Sequence, residues 1–322
     1  MRALLLDKDL QIVEDYPTPE PAPGEALIRV HVAGICNTDL ELVKGYRQFQ
    51  GIPGHEFVGV VEQAPGAESW EGRRVVGDIN AACGKCSTCE AGRPSHCPNR
   101  TTLGIAGRNG AFAKYLTLPV CNLHPVPTSI PDEIAVFTEP LAAACEILEQ
   151  VHVHPTDRVV VLGDGKLGLL CAQVLALTGC DLSVVGRHEE KLNILTQRGI
   201  YTTVNGDSLA GSADLVVEAT GHPDGYAAAR RLVRPHSTIV LKSTYHGSID
   251  ADLTMVAVDE ITLVGSRCGP FTSALRLLEQ RLVDVIQLVQ ARYRLVDAVA
   301  AFEHAAQQGT LKVLLDVVSP AE

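Results

Sequence analysis

Apolar and polar residues alternate in short runs through roughly the first 140 residues, as in 26–32 (ALIRVHV) and 57–62 (FVGVVE). A period of two over such runs, bounded by glycine and proline, predicts short strands joined by turns, so this part is β-rich. Pro17, Pro19, Pro21 and Pro23 predict an extended lead-in, because proline fixes φ and disfavours helix at the residue before it. The pattern changes near Glu139. Residues 140–151 space their apolar positions at helical intervals. Apolar strands then follow at 158–162 (RVVVL), 182–185, 214–218, 238–241 and 261–264, with helical stretches at 166–177, 189–197 and 225–232 between them. Strands without a polar face, alternating with helices, predict a parallel sheet covered on both sides. The tail from 270 carries two helical patterns and a last strand at 311–317. The fold class is therefore α/β in two domains: a β-rich domain of 1–140 with 269–322, and a doubly wound domain of 141–268.

A length of 322 residues accommodates two domains of ordinary size. Hydrophobic residues at 46% and charged residues at 20% describe a packed globular chain. The net charge of −11 argues against a nucleic-acid partner, which calls for a basic surface. MRALLLDKDL has four apolar residues before Asp7, too short for a signal-peptide core. No run reaches the roughly 18 apolar residues of a membrane span. A cytoplasmic location without membrane contact is expected, and ten cysteines there point to metal ligands or free thiols before disulfides.

Four of these cysteines, Cys83, Cys86, Cys89 and Cys97, stand as C-x2-C-x2-C-x7-C in a loop rich in glycine and proline. Four thiolates at such spacing close a tetrahedron around Zn²⁺ with no open position, which predicts a structural site in a lobe at about 81–99. Cys36 in GICNTD, His55-Glu56 in PGHEFVGVV and Thr138-Glu139-Pro140 are each weak signals alone. Together they offer a thiolate, an imidazole and a carboxylate, and three protein ligands leave a fourth position open, as a catalytic zinc requires. Cys121, Cys145, Cys171 and Cys180 read as core thiols.

Gly163-Asp164-Gly165-Lys166-Leu167-Gly168 follows the strand RVVVL and precedes a helix. In that setting G-x-G-x-x-G is a dinucleotide fingerprint, with the pyrophosphate at the helix N-terminus. Asp164 is unusual there, since a carboxylate beside phosphate is unfavourable unless it points away; Lys166 offers an offset. The second strand ends in Gly186-Arg187-His188, with no acid to hold the ribose hydroxyls of NAD(H). Gly186 leaves space and Arg187 suits a 2′-phosphate, so NADP(H) is expected over NAD(H).

C-x-T-D at 36–39, GHE-x-x-G at 54–59, the four-cysteine lobe, GAFAKY at 110–115, EPLA at 139–142 and the nucleotide loop keep one order and spacing. In these motifs the chain resembles the zinc-dependent medium-chain dehydrogenase/reductase superfamily, over essentially its whole length. The resemblance implies a GroES-like catalytic domain beside a Rossmann domain, with two Zn²⁺ per chain. It implies Cys36 and His55 as catalytic zinc ligands and Glu139 as the third, directly or through water. Glutamate at that position is similar to the sorbitol- and threonine-dehydrogenase branches. Glu56 resembles the carboxylate behind the metal, able to enter its shell. Asp39 resembles the acceptor for the His55 ring, and Thr38 the hydroxyl that passes on the alcohol proton; an N-cap role for both is compatible. Thr220-Gly221 falls where the family binds the nicotinamide ribose, and Ser266-Arg267 near the nicotinamide and the dimer-forming sheet edge. His246 is the one further histidine expected near the cofactor. Two departures stand out: a shortened interval between Cys36 and His55, and Glu41 where the family often carries a relay histidine. The implied activity is hydride transfer between an alcohol or polyol, or the matching carbonyl, and NADP(H), in a homodimer or homotetramer. The alternatives are a non-catalytic NADPH-binding zinc protein and a cinnamyl-alcohol-type aldehyde reductase.

Overall fold

The computed structural model describes residues 1–244 and 248–318, so the expectation for His246 lies outside the described residues. The chain divides into one unit of Met1–Glu139 with Phe271–Glu322 and a second of Pro140–Pro270.

In the first unit, β1 (Ala3–Leu6) and β2 (Leu10–Val13) form a hairpin. The long β3 (Glu25–Ile35) runs directly into α1 (Asn37–Val43). Then come β4 (Glu56–Gln63), β5 (Arg74–Gly77) and β6 (Asn80–Ala81). Next are α2 (Ser87–Glu90), β7 (Thr101–Leu103), β8 (Gly107–Arg108), β9 (Tyr115–Pro119), β10 (Leu123–Pro125) and α3 (Asp132–Ala135). Helix α4 (Thr138–Gln150) carries the unit boundary in its first turn.

The second unit alternates strand and helix. Its elements are β11 (Arg158–Leu162), α5 (Lys166–Ala176), β12 (Asp181–Val185), α6 (Glu189–Thr196), β13 (Tyr201–Thr203) and β14 (Ala213–Glu218). They continue with α7 (Gly225–Leu232), β15 (Val233–Leu241), α8 (Leu253–Val258) and β16 (Thr262–Gly265). The six strands pair in parallel in the order β13-β12-β11-β14-β15-β16. Val159, Val160, Val161, Val216 and Val217 are buried in the two central strands, as a sheet covered on both faces demands.

The chain then returns to the first unit as α9 (Phe271–Glu279), β17 (Val289–Arg294), α10 (Ala298–Ala305) and β18 (Lys312–Asp316). Its seven-stranded sheet runs β10-β5-β4-β3-β18-β17, with β9 also on β3. Within that sheet β18 pairs Val313 with Ile35, and β4 pairs Glu56 with Gly34. The last strand and the residues flanking Cys36 and His55 are thus neighbours on one sheet. The architecture is GroES-like plus Rossmann-type.

One expectation fails at the level of burial. Cys121 is exposed, because the apolar run around it bends through a 3₁₀ turn at Val120–Asn122 that buries Asn122 and turns the thiol outward. Cys145 and Cys171 are buried core thiols, and Cys180 is half-buried.

Candidate metal centre and cofactor loop

Cys36 caps α1 in extended backbone, and its N–H donates to Asp39 Oδ2 at 2.8 Å. Gly54 N–H donates to the other oxygen of that carboxylate at 3.2 Å. His55 Nδ1 lies 3.2 Å from the same Oδ1, in ion-pair reach but off the line of a hydrogen bond. Asp39 is fully buried, so one carboxylate ties the start of α1 to the strand entry that carries His55. Gly54 permits that approach: its φ is +98°, and a Cβ there would meet the Phe112 ring at 2.8 Å.

These ties bring together one donor atom each from Cys36, His55 and Glu56, all within 4.8 Å of one another. Glu139, at the start of α4, stands outside that set. Glu56 Oε2 forms an ion pair with Lys312 Nζ, while Oε1 is buried with no hydrogen-bond partner. Lys312 is itself buried, and Nζ also reaches Ile35 O at 3.5 Å. Thr38 Oγ1 lies 3.8 Å from Cys36 Sγ. Glu41, at the place of the relay histidine, bonds Lys44 instead, at 2.8 Å.

Opposed charges set the electrostatics of this cluster. Burial alone would lower the His55 ring, but the charges of Asp39 and Cys36 outweigh it and hold the ring well above its ordinary value. Burial pushes the Glu139 carboxyl up to about 7; Glu56 adds to the rise, and His55 and Lys312 oppose it. Burial would also lower Lys312, yet Glu56 and Cys36 raise it above its usual value. A Glu56 carboxylate oxygen, a thiol and an imidazole within 4.8 Å of one another, on a carboxylate that keeps one oxygen unpartnered, fit a dication such as Zn²⁺, which ordinarily takes these donors.

The second cysteine cluster is a separate site. Sγ separations are 3.5 Å for Cys86–Cys89, 3.7 Å for Cys86–Cys97 and 3.5 Å for Cys97–Cys83. A tetrahedron with Zn–S bonds of ~2.3 Å has edges of about 3.8 Å, so the four sulfurs fit one ion. No disulfide joins them, and Cys83 is pulled down to about 6, chiefly by the Lys85 backbone N–H.

The residues expected to hold cofactor gather at the carboxyl ends of the parallel strands. Gly163 to Gly168 link β11 to α5; Gly186, Arg187 and His188 follow β12. Thr220 and Gly221 follow β14, where Thr220 Oγ1 donates to Glu218 at 2.6 Å and Gly221 N–H to Ser243 Oγ at 2.8 Å. Ser266 and Arg267 follow β16, where buried Lys242 reaches Ser266 Oγ at 3.2 Å, Arg267 O at 3.4 Å and Ala143 O at 2.7 Å. This strand edge is where open α/β sheets bind nucleotides. In the loop, Lys166 and Leu167 open α5, whose first ladder bond runs from Leu169 N–H to Gly165 O at 3.0 Å. The amides before it lie outside the helix ladder, as an anion at a helix start requires.

Three residues escape a reading of the sequence: Lys312, Lys242 and Glu218. For Lys312 one signal exists, a lysine inside the otherwise apolar run LKVLL. A charge buried in a strand needs an opposite partner, though nothing in the run names Glu56.

Comparison with known proteins places the chain in a family. Residues 22–128 match the alcohol dehydrogenase GroES-like domain, and residues 167–290 the zinc-binding dehydrogenase family. The chain belongs to the zinc-dependent medium-chain dehydrogenase/reductase superfamily and is an oxidoreductase of the alcohol/polyol dehydrogenase type. Among its relatives is the erythritol/L-threitol dehydrogenase of Mycolicibacterium smegmatis, 28% identical over 88% of each chain. Two solved structures are similar throughout. One is a zinc-binding dehydrogenase from Sinorhizobium meliloti 1021 bound to NADP, with 27% identity, TM-score 0.89 and coverage of 98% and 99% of the two chains. The other is an alcohol dehydrogenase from Escherichia coli CFT073 complexed with NADH, with 27% identity, TM-score 0.90 and the same coverage. Among the described residues no helix is long and apolar enough to cross a membrane.

Proposed function

We propose that the protein transfers hydride between an alcohol or polyol, or the matching aldehyde or ketone, and a nicotinamide cofactor, with NADP(H) preferred and two zinc ions per chain. The observation that carries this reading is the convergence of Cys36, His55 and Glu56, with one buried carboxylate oxygen unpartnered. Zinc held there supplies Lewis-acid chemistry to the oxygen of an alcohol or carbonyl. Cys36 and His55 are its proposed fixed ligands, and Glu56 or Glu139 contributes the carboxylate. Asp39, with Oδ1 3.2 Å from Nδ1, orients the imidazole by its charge. The Thr38 hydroxyl accepts the proton of the substrate alcohol and hands it outward. Cys83, Cys86, Cys89 and Cys97 hold a second zinc with a structural task, since four thiolates leave no position for substrate.

For the cofactor, the glycine loop takes the pyrophosphate. Lys166 and Leu167 open the helix beneath it, and Thr220, Gly221, Ser266 and Arg267 surround the nicotinamide end. Gly186, Arg187 and His188 take the adenosine ribose, and Arg187 is the proposed partner of a 2′-phosphate. The erythritol/L-threitol and sorbitol dehydrogenases among the relatives favour a short-chain polyol as substrate. Self-association as a dimer or tetramer completes the reading.

Metal analysis joined to a substrate panel tests it. Two zincs per chain are expected, one of them lost in Cys36→Ala and His55→Ala together with turnover. Erythritol, threitol and sorbitol are assayed with both cofactors at the nicotinamide absorbance. Turnover in a protein freed of zinc would sink the metal role. A higher kcat/KM with NAD⁺ than with NADP⁺ would sink the cofactor preference alone.

A further inference from the structure

We propose that Asp164 is a positioning residue for cofactor selectivity: it holds the turn 186–188 in the form that presents Arg187 to a 2′-phosphate and keeps any side chain out of position 186. The inference rests on the proposed preference for NADP(H).

Asp164 sits in the glycine loop between Gly163 and Gly165, where a carboxylate beside a pyrophosphate would be costly. Its side chain turns away, to the end of the neighbouring strand. One oxygen, Oδ2, accepts the backbone N–H groups of Arg187 and His188, both at 2.7 Å, and lies 2.9 Å from His188 Nδ1. The turn is wound around that single atom. His188 occupies the N-cap of α6 yet makes no side-chain cap, because its ring faces Asp164 instead.

The same side chain fills the space beside Gly186. A Cβ at that position would lie 2.7 Å from Asp164 Cβ and 2.8 Å from Oδ2, closer than real Cβ contacts. The acid that an NAD(H) site carries at this strand end therefore has no room while Asp164 is present. Arg187 is exposed, and among the described residues its guanidinium has no ion pair or hydrogen bond. A side chain that is free while its own backbone N–H is fixed suits a planar donor meant for a ligand oxyanion. The carboxylate stays ionised: burial would raise it, but the two backbone N–H groups and His188 outweigh that and lower it.

Equilibrium binding of NADPH and NADH, followed by cofactor fluorescence on the zinc-loaded full chain, tests the proposal. Asp164→Ala is expected to weaken NADPH about tenfold while NADH moves less than about twofold, the scale of one lost charge-assisted contact. Asp164→Asn, whose amide oxygen still accepts the two backbone N–H groups, is expected to restore most of the NADPH affinity. Asp164→Ser replaces Asp164→Ala should the latter not fold. In the double variant with Arg187→Ala, NADPH binds no more weakly than with Arg187→Ala alone, as coupled residues require. Tighter NADPH in Asp164→Ala, equal losses for both cofactors, or additive losses in the double variant would each overturn the inference. Failure of the underlying reading looks different: Arg187→Ala then leaves NADPH affinity unchanged, and the inference falls with it.

Discussion

Lys312 shows how a single residue balances the metal centre. It is buried against Glu56, with the charges of Cys36 and Glu139 also raising it. Removing one partner of a buried pair leaves an uncompensated charge, at a cost of about 3–5 kcal/mol. Lys312→Met keeps the volume and strands Glu56. A dication at Cys36 and His55 would relieve that carboxylate, so the loss of Tm is expected to be larger with a chelator than with zinc; an equal loss in both would refute the idea. Asp132 offers a pH test. Burial would raise its carboxyl, but the hydrogen bond from His31 and the charges of His31, Arg74 and Arg292 lower it overall. A carboxyl depressed in the folded state stabilises above its unfolded value of about 3.9, and that contribution disappears as pH falls through the folded value. Asp132→Asn should therefore lower Tm at pH 7, with the gap to the wild type closing in acid; a gap independent of pH would exclude this origin. At this scale the sequence is legible where a motif is local. Cys36 with Asp39, and His55 with Glu56, are close along the chain. Lys312 reaches Glu56 only through the β3–β18 register, which no local pattern announces.

Among the elements, the four-cysteine lobe depends most on something other than packing. Cys83, Cys86 and Cys89 are partly exposed, and only Cys97 is buried. Around them stand a four-residue helix, α2, and a three-residue 3₁₀ turn, too short to be stable alone. Metal binding would then contribute most of the lobe's folding free energy. Cys89→Ser is expected to release one zinc and open residues 81–99 to limited proteolysis, while the β3–β4 sheet stays protected. An intact zinc content with a resistant lobe would contradict this. Elements with a pure period are legible from residues alone: RVVVL is β11 as expected, and 225–232 is α7. β17 is not. Its alternation VQARYR buries no residue fully, since it lies at the sheet edge and its inward side chains are half-buried. Edge strands give up the apolar contrast that makes period two visible.

At the scale of the whole molecule, the six-stranded sheet ends at β16, which among the described residues pairs only with β15. An open strand edge is a template for pairing, and chains that leave one open usually cover it. Leu263 on that strand is 37% exposed, and Leu253 and Val258 on the preceding α8 are 64% and 66% exposed. Large exposed apolar side chains on the edge strand and on the helix before it are what a self-associating surface presents. The opposite edge, β13, has only three residues, with Tyr201 its one large exposed apolar side chain. Light scattering after size exclusion should therefore give two or four times the chain mass of 34.4 kDa. Leu263→Glu places a charge on that edge and is expected to halve that mass, while Tyr201→Glu on the other edge should leave it unchanged. A wild type that runs as a monomer would end the argument. A Tyr201→Glu variant that dissociates while Leu263→Glu does not would move the interface to β13.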